Sequence, residues 1–118
     1  MTPDRLFDRP VFARARKACL ALPETTEVSS WGHPNFRAGK RTFCAFELIG
    51  GRPSIAFKLP ADHPQLRTRD DTFSTPYGRS VWTSIWVDGR IERGAIETLT
   101  EHSYRTVATR RMLRVLDG

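Results

Sequence analysis

The spacing of apolar residues changes period twice along this chain, from helical to alternating and back again. That change constrains the fold more than any single motif. Between Val11 and Leu22, the residues Phe12, Ala15, Cys19 and Leu22 recur at i, i+3, i+7 and i+10, while Arg14, Arg16 and Lys17 turn elsewhere. This predicts an amphipathic helix with Pro10 in its first turn and Pro23 as its stop. After the polar connection "ETTEVSS" the period becomes two from Asn35 onward. Phe36–Arg37 and Thr42–Ile49 flank the Gly-containing turn "AGKR", which reads as a hairpin. In the second strand Phe43 and Ala45 face one way and Cys44, Phe46 and Leu48 the other, so apolar residues occupy both faces. Gly50-Gly51 supplies the next turn. Pro53–Leu59 then alternates Ile55, Phe57 and Leu59 against Ser54, Ala56 and Lys58.

Further along, Pro60–Asp71 is expected to form a short helix anchored by Leu66. Val81–Val87 is expected as a strand, with Trp82, Ser84 and Trp86 sharing one face. Helical period then returns: Ile96, Leu99, Ser103 and Val107, widened by Tyr104 and Ala108, predict one helix over Glu92–Leu116. Glu92, Glu97 and Glu101 populate its first half and Arg105, Arg110, Arg111 and Arg114 its second, an order that complements the helix dipole. No internal repeat or linker interrupts the 118 residues, so residues 1–118 are read as a single domain with one core.

Sixteen of the nineteen cations are Arg, the formal net charge is +6, and residues 1–59 carry ten cations against five acids. This balance permits an anionic partner such as DNA and equally fits solvated faces. Cys19 and Cys44 fall in the first helix and the second strand without CxxC or His-rich spacing, which suits small buried residues. The N-terminal "MTPDRLFDRP" lacks the apolar run of a signal peptide, and no stretch approaches the roughly 18 apolar residues of a membrane span. A soluble, cytoplasmic protein without a membrane partner is expected.

Chemistry is sparsely signalled. A His33/Cys44 nucleophilic pair would need an orienting acid that the sequence does not identify. His63 and His102 would make a metal site only if the fold assembled it, and no HExxH, Walker or GxGxxG motif occurs. No catalytic residue, metal or cofactor is therefore assigned. Two binding readings remain. In the first, Arg37, Lys40 and Arg41 at one hairpin tip, Arg52 after the Gly50-Gly51 turn and Arg79 before the Trp-containing strand contact nucleic-acid phosphates. In the second, Trp31, Phe36, Tyr77, Trp82 and Trp86 line a pocket. There Lys58 or His33 supplies a polar contact to a small anionic ligand, or the surface receives a protein partner.

Three stretches in this order, "ALPETTEVSSWGHPNFRAGKRTF", "AFKLP" and "TPYGRSVWTSIWV" followed by a terminal helix containing "SYRTVATRRM", resemble the MmcQ/YjbR family of small bacterial proteins. The resemblance runs from about Ala13 to Leu116. It implies a secretion-chaperone-like α+β fold in the order α-β-β-β-α-β-β-α, an antiparallel sheet of about five strands, with a strand at about Thr72 to Thr75. It further implies DNA binding with hairpins that act as wings, and it supplies no catalytic set. Fold similarity to frataxin-like domains is analogy only, and the acidic ridge expected of iron handling is not evident here.

Overall fold

In the computed structural model, which describes residues 7–76 and 81–118, the alternating middle of the chain forms a sheet and the two helical ends pack on it. Helix α1 (Pro10–Leu20) is followed by β1 (Thr25–Ser30), β2 (His33–Ala38), β3 (Arg41–Ile49), β4 (Arg52–Phe57), β5 (Thr72–Ser74) and β6 (Thr83–Trp86). Helices α2 (Ala95–Val107) and α3 (Arg110–Asp117) complete the order. The strands pair antiparallel in the spatial order β1-β2-β3-β4-β6-β5. The α+β class stands, with six strands where about five were expected. The extra one is β1, formed by the polar "TTEVSS" at the sheet edge, and β5 occupies the position that the family resemblance implied.

Two segments depart from expectation. Pro60–Asp71 forms successive turns rather than a helix, with His63 N on Pro60 O (3.0 Å), Leu66 N on His63 O (2.8 Å) and Arg69 N on Leu66 O (2.9 Å). Pro64 has no amide hydrogen to continue a ladder, and Leu66 still anchors the segment in the core. The terminal helix begins at Ala95 and breaks at Ala108, whose backbone is extended (φ −65°, ψ 142°). Thr109 Oγ1 then accepts from Met112 N at 3.3 Å and caps α3 as a separate helix.

Residues opposite one another across an antiparallel pair share a face. The register Phe36↔Cys44↔Phe57↔Thr83, with Phe46↔Ile55↔Ile85 beside it, defines the face that carries the helices. Phe12 of α1 lies 4.7 Å from Phe46, and Tyr104 of α2 meets Phe43 edge-on at 5.5 Å. Simple alternation would turn Phe43 away from this core. A bulge opposite Phe36–Arg37 inserts Phe43 as an extra residue, so Phe43 and Cys44 are both buried on the helix side. Ser103 of α2 bridges the β3–β4 end beside the bulge, donating to Phe43 O and accepting from Lys58 N at 2.7 Å, where Lys58 N also reaches Phe43 O at 3.3 Å. Cys19 and Cys44 are buried free thiols in this core; burial first, and then the neighbouring Cys19, raise the Cys44 thiol well above its ordinary pKa.

The opposite face carries two rows, Val28↔Asn35↔Ala45↔Ala56↔Ser84↔Phe73 and Glu47↔Ser54↔Trp86. Small side chains fill its centre, and Thr75, following β5, folds over it with its hydroxyl 2.8 Å from that of Ser84.

Candidate functional site

The hairpin turns decide which loops share an end of the sheet. Trp31-Gly32 joins β1 to β2 and Gly50-Gly51 joins β3 to β4, with positive φ at both central residues in each (54° and 79°; 58° and 82°). That is the signature of a type I′ turn, which twists with the strands. Gly39-Lys40 joins β2 to β3 with positive φ at Gly39 alone (60°), the type II′ pattern. Because β2, β3 and β4 run antiparallel, the Gly39-Lys40 tip lies at one end of the sheet. The Trp31-Gly32 and Gly50-Gly51 tips lie at the other.

The five expected phosphate-binding cations therefore do not form one surface. Arg37, Lys40 and Arg41 are exposed together at the β2–β3 tip, with no carboxylate partner among the described residues. Arg52 stands at the opposite end and is occupied. Its Nε lies 2.6 Å from Asp88 Oδ2, and its guanidinium lies 4.0 Å from the Trp86 ring. This pairing raises the Arg52 pKa and lowers that of Asp88. Arg79 lies outside the described residues.

The sequence reading missed α3 as the hairpin's partner. Gly39 sits against it so closely that a Cβ there would stand 2.9 Å from Met112 Cε. Between hairpin and helix lies a groove of about 450 Å³ lined in part by Lys40, Arg41, Thr109 and Arg111. Arg111 is tied to Glu24 at 2.7 Å. Arg110 and Arg114 stand one helical turn apart on the side of α3 away from buried Met112, exposed and without a carboxylate partner among the described residues. Viewed as one long helix, these arginines looked like dipole complements; the break at Ala108 starts a separate helix whose Arg111 and Met112 meet the hairpin while Arg110 and Arg114 face outward.

The expected aromatic pocket also divides. Phe36 is fully buried on the helix face. Trp86 is stacked on Phe73 at 4.1 Å, with Arg52 as a further neighbour. Trp82 and Lys58 are half-buried, the latter held by its backbone to Ser103, and Tyr77 lies outside the described residues. Trp31 and His33 do meet. With Ser30, Asn35 and Glu47 they line a cavity of about 440 Å³ at the Trp31-Gly32 end of the sheet. The turn does not seat Trp31 against the sheet, for its side chain is 96% exposed. Asn35 Nδ2 donates to His33 O at 3.0 Å and holds the strand entry, while Phe7 meets the imidazole edge-on at 5.8 Å.

Glu47 is the residue that periodicity concealed. Its place between Phe46 and Leu48 carries no sign of burial for an acid, yet it is 2% exposed. Among the described residues its Oε1 has no hydrogen-bond partner, and neither do His33 Nδ1 or Ser54 Oγ. Burial lifts the carboxyl from an ordinary 4.5 to about 7. A buried acid offers an anion no counter-charge at this end of the sheet. His33 and Cys44 form no catalytic pair, since Cys44 belongs to the helix face and His33 to the cavity on the other. The fold does bring His63 and His102 within 5.1 Å, and burial, then His102, lower the His63 pKa. Among the described residues no group of three metal-ligating side chains is assembled.

Sheet order and helix placement define an antiparallel α+β protein of the kind seen in a crystal structure of a protein from Pseudomonas syringae. The two superpose with a TM-score of 0.56 over 71% of this chain and 87% of that one, at 17% identity, a likeness of fold alone. The YjbR family model matches residues 20–106, and the chain belongs to the YjbR family. No match was found among curated proteins. Among the described residues no helix is long and apolar enough to cross a membrane.

Proposed function

We propose that the protein is a cytoplasmic, non-enzymatic DNA-associated module that grips phosphates with the basic end formed by the β2–β3 hairpin and α3. The observation that carries this reading is the set of Arg37, Lys40 and Arg41 at the hairpin tip, exposed and with no carboxylate partner among the described residues, to which the neighbouring α3 adds the exposed Arg110 and Arg114 on its outer side. Hairpin tip and helix flank the groove as two prongs, the arrangement that lets charged side chains straddle a phosphate backbone. Sequence-independent contacts of this kind need charge and reach rather than base-edge geometry. The buried free thiols Cys19 and Cys44 suit the reducing compartment in which such a partner is met.

Fluorescence anisotropy with duplex DNA at several salt concentrations tests the proposal. Neutralising five phosphates predicts a log–log slope of about −4.5, and replacing Lys40 and Arg41 by Ala should flatten it by about two contacts. Arg52→Ala, at the far end, should leave the slope unchanged. A slope near zero, or a loss on Arg52→Ala equal to that of the hairpin variant, overturns the assignment.

A further inference from the structure

We propose that the cavity of Trp31, His33 and Glu47 is a binding site for a small organic cation, an alkylammonium or guanidinium compound, distinct from the basic end of the molecule. The cavity of about 440 Å³ falls within the size range of small-molecule pockets. Three of its features point to the same ligand chemistry.

The first is the buried acid. Eight other carboxylates are paired with arginines. Glu47, more buried than any of them, has no cationic partner among the described residues and leaves Oε1 unbonded. Removing a carboxylate from water without a counter-charge is costly, and a bound cation supplies what the protein does not. The second is a row of unmade hydrogen bonds. Extending the β2–β3 register from the Asn35–Ala45 pair sets His33 beside Glu47, and Glu47 is itself opposite Ser54. His33 Nδ1, Glu47 Oε1 and Ser54 Oγ are all buried and without a partner among the described residues, where most buried polar groups find a partner. An N–H-bearing ligand satisfies the carboxylate directly, and the imidazole nitrogen can accept a second hydrogen.

The third is Trp31. A type I′ turn favours Asn or Gly at its first central position, because a side chain in the left-handed region costs roughly 1–2 kcal/mol. This chain places there its largest side chain, at φ 54° and 96% exposed, on the rim of the cavity. Neither packing nor turn chemistry calls for an indole at that position. A π-face over the mouth of an acidic cavity does, since it attracts a cation that the carboxyl below neutralises.

The experiment is a ¹H–¹⁵N NMR titration of the full chain with benzylammonium chloride and methylguanidinium chloride, and with sodium benzoate at matched ionic strength. The cations are expected to give saturable shifts confined to residues 30–35, 47 and 54, while benzoate gives none. Glu47→Gln should weaken binding about tenfold or more, and Trp31→Asn about threefold. Benzoate shifting the same resonances, cation shifts that do not saturate, or unchanged affinity in Glu47→Gln would each overturn the proposal. Spectra of both variants that otherwise superpose on wild type establish that the fold is retained.

Discussion

Replacing Glu47 by Gln should make the protein more stable at neutral and alkaline pH and leave it nearly unchanged in acid. The carboxyl titrates near 7 in the folded state against an ordinary 4.5, with burial as the cause. The folded state therefore retains a proton between those values that the unfolded chain has released. Stability due to this group is greatest below pH 4.5, falls as pH rises toward 7, and is level above it. A displacement of this size corresponds to about 3 kcal/mol of destabilisation once the carboxyl is charged. Gln is nearly isosteric with the protonated acid and carries no titration, so the stability difference between variant and wild type isolates Glu47 from every other group. Urea denaturation at intervals from pH 4.5 to 9 should show that difference growing from near zero to about 3 kcal/mol, with its midpoint between pH 5 and 7. Among the described residues His33 is the other titratable side chain lining the cavity, while the nearby Arg52 is held by Asp88. Repeating the series in a His33→Asn background separates its contribution. A pH-independent difference, or a variant less stable at pH 8, would refute the burial argument.

Two further outcomes follow from local geometry. Trp31→Asn relieves the strain of an indole side chain at positive φ and should raise stability by roughly 1 kcal/mol, seen as a higher thermal midpoint; a lower midpoint would mean that the exposed indole packs in a way its 96% exposure denies. Ser103→Ala removes the hydroxyl that bridges Phe43 O and Lys58 N and should cost about 1–3 kcal/mol in urea denaturation, whereas a neutral result would mean that the bulge does not depend on α2.

Elements whose burial follows one period were legible. The stripe Phe12, Ala15 and Cys19 in α1 and the stripe Ile96, Leu99, Ser103 and Val107 in α2 are buried as their spacing predicts. β1 escaped because an edge strand needs no apolar alternation; its Thr25, Thr26 and Val28 were the remaining β-favouring signal. The bulge at Phe43 could not be read, since one extra residue reverses a face without changing the local sequence. Arg52 looked like a free cation because Asp88, 36 residues further on, reaches it only through the β4–β6 pairing. Glu47 was hidden for a related reason: alternation assigns it to the face of Ala45, and only the tertiary fold shows that this position is covered.

The antiparallel connections also keep the two charged sites apart. Glu47 and Arg41 lie on the same strand six residues apart, roughly 20 Å at 3.3–3.4 Å per residue. At that separation, more than twice the Debye length of about 8 Å at physiological ionic strength, the exposed Arg41 is screened on its solvent side, although buried Glu47 is screened less than a surface charge. A basic end for phosphates and an acidic cavity for a cation can then coexist on one small sheet without neutralising each other. The same separation makes the two proposals independent. An anisotropy slope near zero would remove the phosphate grip and leave the buried Glu47, with no cationic partner among the described residues, still to be explained. Failure of the amine titration would leave the five cations at the other end of β3 where they are.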